Sequence, residues 1–172
     1  MTDYARSKSG TDATPPDKLQ KVIAVLQIIG GTGGIIMAWT VFGKWLDPVA
    51  GAVSLLPASF AIYAGLLLWK GKRTGVMLSA LLQVLQVVKI TTHSFTYLSF
   101  YGFGFFLGIQ VTDTASFVIS PHVGGALWIT GGSPLLPVSI SFNLVAIVFL
   151  VYLLGRWHDI PSRSMGEDSS LA

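Results

Sequence analysis

The sequence predicts an all-α membrane protein with four transmembrane helices and a β-rich extracytoplasmic segment between helices 3 and 4. Three observations predict it. Hydrophobic residues make up 52% of the 172 positions, and the mean hydropathy is +0.66. Only 11% of residues are charged, against about a quarter in an ordinary soluble domain. Those charges are also segregated: 15 of the 19 fall in residues 1–21, 70–73 and 156–172, which leaves Lys44, Asp47, Lys89 and Asp113 for the rest of the chain. A soluble surface needs charge spread along it, whereas a bilayer excludes charge.

Composition also removes several function classes. There are no cysteines, so a disulfide-stapled domain, a zinc ribbon and a thiol enzyme are excluded. The net charge of +3 sits beside apolar spans rather than along a basic stripe with aromatic platforms, so no nucleic-acid partner is expected. Residue 2 is threonine and no cysteine is present to acylate, so no lipid anchor is expected.

A helix crosses the hydrocarbon core with about 20 mostly apolar residues. Four stretches meet that length: 22–42, 49–69, 75–93 and 135–154. Residues 1–21 and 158–172 are polar and read as flexible cytoplasmic tails. Arg6, Lys8, Lys18 and Lys21 precede the first stretch, Lys70, Lys72 and Arg73 separate the second and third, and Arg156 and Arg163 follow the fourth. The positive-inside rule then places both termini in the cytoplasm of a multi-pass protein of the cell membrane, and Trp39, Trp45, Trp69 and Trp157 fall near span ends. A signal peptide over 1–38 is the rival. The apolar stretch is longer than a usual signal core and its polar lead carries three aspartates, so an uncleaved anchor is expected. Loops 43–48 and 70–74 are short enough to make consecutive spans antiparallel neighbours.

The first span holds Gly30 and Gly34 in GxxxG spacing, which suits a close helix contact, either within the chain or across a dimer. Pro57 predicts a kink in the second span. The third span carries Ser79, Gln83, Gln86, Lys89 and His93 at spacings that place them on one helical stripe. Gln86 would lie roughly 16 Å into the membrane. Asn143 in the fourth span would face the Lys89 end of this stripe. Such residues serve either as helix-to-helix hydrogen bonds or as the lining of a polar pathway.

Segment 95–132 has a period of two. Phe95, Tyr97, Ser99, Tyr101, Phe103, Phe105, Leu107, Ile109 and Val111 share one strand face, Thr112–Thr114 reads as a turn, and 116–120 and 126–130 read as two further strands around a loop at Pro121–Gly125. The segment either caps the helices as a sheet or re-enters the membrane.

His93, Asp113 and His122 are the outer residues that could hold a metal, but their spacing matches no metal motif, so no metal and no cofactor are expected. No catalytic set is visible. The functional expectation is a non-enzymatic integral membrane protein, a subunit or assembly component of a membrane complex. Its partners would be the lipid bilayer and either a second copy or another membrane protein. The alternative is a small homo-oligomeric channel or transporter using the stripe of helix 3. A membrane enzyme acting on lipids is the third reading.

Overall fold

The computed structural model describes residues 15–42, 48–131 and 137–159. Most of the two tails, most of loop 43–48, and Ser133–Pro134 before the fourth predicted span lie outside the described residues. The chain is mixed α and β, which overturns the all-α expectation. In order it forms α1 (Lys18–Phe42), α2 (Pro48–Trp69), α3 (Arg73–Gln86), β1 (Val88–Thr91), β2 (Phe95–Val111), β3 (Ala115–Gly131), β4 (Val138–Asn143) and α4 (Leu144–Asp159). Among the described residues one helix, over Lys18–Thr40, is long and apolar enough to cross a membrane. A signal sequence passes the same test of length and composition.

The third and fourth predicted spans are each part helix and part strand. α3 ends at Gln86 because Val87, Val88, Ile90, Thr91 and Thr92 follow, a β-branched run that favours extended backbone. The predicted 135–154 helix opens instead as β4. Its Val138, Ile140 and Phe142 alternate with Ser139, Ser141 and Asn143 at period two, and α4 begins only after Asn143. The Asn143 side chain accepts the backbone N–H of Ala146 at 3.3 Å, a helix N-cap.

The four strands form one antiparallel sheet in the order β1–β4–β2–β3, with β1 also paired to the first half of β2. Contacting β4 with one half and β1 with the other requires β2 to curl. β2 and β3 run as one long hairpin from Phe95↔Gly131 to Val111↔Ala115, closed by the Thr112–Thr114 turn. The expected loop at Pro121–Gly125 is therefore corrected to continuous strand. Proline survives there because β3 is the outer strand of the sheet, so no ladder hydrogen bond is lost on its open side.

The hairpin bends where Gly102 faces Gly124. Both have positive φ, +106° and +120°, which side-chain-bearing residues rarely adopt. α1 crosses the hairpin at this point. A Cβ on Gly30 would overlap the backbone of Tyr101 and Gly102, and one on Gly125 would overlap the Gly30 carbonyl oxygen. The opposite side of α1 meets α2 just as closely. A Cβ on Gly31 would come within 2.6 Å of the Ala58 carbonyl oxygen, and one on Gly65 within 2.9 Å of that of Ala24. Small residues on both helices allow this approach. Ile23, Ala24, Leu68, Val76 and Leu153 form one buried cluster, and Ala58, Ala61, Ala64, Leu82 and Tyr101 a second.

Gly30→Val is expected to destabilise the fold by several kcal/mol in a denaturant titration, since backbone on both sides would have to separate, at the severe end of overpacking. Gly155→Ala is the control. A Cβ there meets nothing within 4 Å, and the change is expected to be neutral or stabilising by up to about 1 kcal/mol.

Candidate functional site

The stripe predicted on helix 3 divides where the helix ends. Ser79, Gln83 and Gln86 occupy the buried face of α3. Ser79 Oγ donates to Gln27 Oε1 of α1 at 2.9 Å. Gln86 Oε1 accepts the Tyr101 N–H of β2 at 2.9 Å. Gln20 extends this polar seam by donating to the Leu68 carbonyl at 3.0 Å. The seam joins α1, α2, α3 and β2 from inside. Lys89 lies beyond it in β1, and His93 is exposed in the β1–β2 turn, away from the stripe.

Gly30 and Gly34 both face inward. Gly30 meets the hairpin, and Gly34 meets Ala58, Tyr101 and Gly125. Their contacts are thus within the chain, and those of Gly30 are with strands rather than a helix. His93 and Asp113 sit in the turns at opposite ends of β2 while His122 lies within β3. Among the described residues no three metal-ligating side chains come together.

The strand register brings a second group of residues to one face of the curled sheet. Lys89 lies opposite Ser141, and Ser141 opposite Gly108. Asn143 pairs with Phe106, Phe106 with Ser120, and Gly104 with His122. Phe106, Asn143, Ser141, Thr91 and Phe100 on this face are all buried, so it is the concave side. His122 stacks on Phe100 with 5.2 Å between ring centres and meets the edge of Phe106 at 5.3 Å. Its Nε2 lies 3.0 Å from Ser120 Oγ. Lys89 is close enough for its charge to bear on the His122 ring. No family model, curated protein or solved structure matches this chain. The reading of the site therefore rests on its own geometry.

Asn143 does face the Lys89 side, but as a sheet neighbour across β1 and β4 rather than across two helices. His122 was legible only as a loop residue, because Pro121 and Gly124–Gly125 read as a turn. Carrying the period of two through them would have placed Ser120 and His122 on one face.

The convex side is the reverse in chemistry. Phe103, Leu107, Ile109, Val111, Phe117, Ile119, Val123, Val138, Ile140 and Phe142 are all exposed there, Phe117 at 84% and Val123 at 79%. The exposed positions of α1, α3 and α4 are similarly apolar, including Ile29, Ile36, Leu81, Val84, Val148 and Val151.

Charge gathers at one end. Lys21 lies over the Trp69 ring at 5.8 Å, and Arg73 over Trp157 at 4.1 Å. Asp17, just before α1, accepts the Gln20 N–H at 2.8 Å and the Tyr152 hydroxyl, and pairs with Arg156 at 3.8 Å. The start of α1 and the end of α4 are therefore side by side. Partial burial raises the pKa of Asp17, but the Gln20 and Tyr152 hydrogen bonds and the Arg156 charge outweigh it and hold it below the ordinary 3.8.

Ser79→Ala is expected to cost about 1–3 kcal/mol, because it strips a buried glutamine of its partner, and adding Gln27→Met should recover most of that. Asp17→Asn should lower the thermal midpoint at neutral pH. A depressed folded-state pKa contributes stability above the unfolded value that is lost on acidification, so the difference from wild type should fade below about pH 4.

Proposed function

We propose that the chain is a non-enzymatic integral membrane protein that works as a subunit or assembly component of a membrane complex. One observation carries the reading: the exterior is apolar on the sheet as well as the helices, while a seam of buried amides and hydroxyls runs through the interior beside the apolar clusters. Soluble monomers rarely expose contiguous apolar patches beyond a few hundred Å², whereas alternation of apolar-out and polar-in residues is the pattern of strands in lipid. α1 is the anchor. It is built into the core through Ile23, Ala24, Gln27, Gly30 and Gly31, so its removal as a signal peptide would unmake the fold.

Association follows from the sheet edge. Among the described residues β3 pairs with β2 alone, and unpaired strand groups are costly in hydrocarbon. Pro121 lacks an N–H, so it and its alternate neighbours Phe117, Ile119 and Val123 turn their backbone groups away from β2. That row fits a strand from a second copy or from another membrane subunit. The chain then crosses the bilayer more than once, and its α3–β1 and β4–α4 passes combine helix and strand. Lys18, Lys21, Lys70, Lys72, Arg73 and Arg156 mark the cytoplasmic end, with both termini.

Gentle extraction followed by intact-mass measurement tests this. The chain should keep residues 1–38 and leave the membrane only with detergent, in a complex heavier than one copy. Ile119→Pro removes an outward N–H and should release the monomer with the hairpin intact. Ile119→Lys should act in the same direction. A wild-type monomer, or a chain cut before Trp39, would overturn the reading.

A further inference from the structure

We propose that the concave face of the sheet, at the N-terminus of α4, is a binding site for an oxyanion, a phosphate or a carboxylate. The floor of the site is the Asn143 side chain, which is 0% exposed. Its Oδ1 accepts two backbone N–H groups, from Phe105 at 3.1 Å and Ala146 at 3.3 Å. Those two donors fix which way the amide points. The amide nitrogen is turned the other way and has no hydrogen-bond partner among the described residues. It lies 3.4 Å from where a Cβ on Gly104 would stand, directly across the ladder from His122. Leaving a buried donor unpaired is costly, so an acceptor is expected opposite it.

The surrounding groups point to the same chemistry. Lys89 projects on this face and has no hydrogen-bond or ion-pair partner among the described residues. The described carboxylate side chains, Asp17 and Asp113, are at the basic end and at the hairpin turn. Ser120 and His122 form one hydrogen bond between them. Whichever of the two donates it, the other retains a hydrogen to offer. The first turn of α4, 16 residues long, adds the positive end of its dipole. The set thus holds one full positive charge, several donors and no negative group. Lys89 and His122 are only half-buried, which leaves the site open on their side. Phe100 and Phe106 wall the ring of His122, and a Cβ on Gly104 would press on the Phe106 ring at 2.8 Å, so glycine there leaves room for that ring beside the Asn143 amide. The site belongs to the sheet itself and does not depend on what pairs with the β3 edge.

The test uses the full chain in detergent micelles. Inorganic phosphate, acetate and phosphatidic acid are titrated separately, and binding is read from the thermal midpoint and from native mass spectra. At least one of these anions is expected to raise the midpoint, and phosphatidylcholine is expected to leave it unchanged. Lys89→Gln should weaken binding about tenfold, the loss of one charge-assisted contact. Asn143→Ser keeps a capping oxygen for α4 but removes the amide donor, and should weaken binding by a similar factor. Lys70→Gln, at the basic end, should bind as wild type. A response to phosphate or acetate alone identifies a free anion as the ligand, and a response to phosphatidic acid alone identifies a lipid headgroup. No response to any of the three, or wild-type binding by both Lys89→Gln and Asn143→Ser, would overturn the proposal.

Discussion

The fold depends on one close approach, that of α1 to the β2–β3 hairpin at Gly30, Gly102 and Gly125. Backbone meets backbone there with no side chain between. The contact holds the hairpin at the place where Gly102 and Gly124 let it bend. The bend brings the first half of β2 to β1 and the second half to β4. The bend adds to the intrinsic twist of the strands and helps to form the concave side on which Phe106 and Asn143 are buried. The same helix closes on α2 through Gly31 and Gly65, so α1 has helix on one side and strand on the other. Van der Waals packing of this kind does not need water to drive it, which suits a body whose exterior is apolar.

Within that frame the buried amides act as struts. Gln20, Gln27 and Gln86 each tie two elements together through the interior. Asn143 does more, since one oxygen caps α4 and also holds β2 at Phe105. Each amide has an oxygen and a nitrogen, and in three of the four a buried nitrogen is left without a hydrogen-bond partner among the described residues. Gln27, Gln86 and Asn143 keep an unpartnered Nε2 or Nδ2. At Gln86 and Asn143 backbone donors fix the oxygen, so a leftover nitrogen is the consequence of using the amide as a strut. Only at Asn143 does that nitrogen share a face with an unpaired cation.

Much of this was legible in the sequence, and each part that was not has its own physical cause. The segregated charges marked the basic end, and the stripe from Ser79 to Gln86 marked a buried polar face. The long strand from Phe95 to Val111 and its Thr112–Thr114 turn followed from period-two alternation. The stretches 75–93 and 135–154 were misjudged because a count of apolar residues does not distinguish a helix from a helix joined to a strand. Local signals did: the β-branched run after Gln86, the Val-Ser-Ile-Ser-Phe-Asn alternation, and an asparagine placed to cap the helix that begins at Leu144. The continuity of β3 through Pro121 was not legible, because proline and glycine read as turn signals unless the strand is known to lie at an edge. Nor was the glycine crossing, in which Gly30 meets two strands, because spacing within a helix says nothing about what lies against it.

The direct join of β4 to α4, with Asn143 as the last strand residue and Leu144 as the first of the helix, also restricts how this protein can change in length. A residue inserted between Val138 and Asn143 would send alternate side chains to the opposite face of the sheet. It would also displace the start of the following helix by one strand residue, about 3.3 Å, relative to the sheet. No loop lies between them to absorb either change. Substitutions on the convex face can therefore accumulate over evolutionary time, while insertions and deletions here are closed off, and homologues of this protein should align across residues 138–159 without a gap.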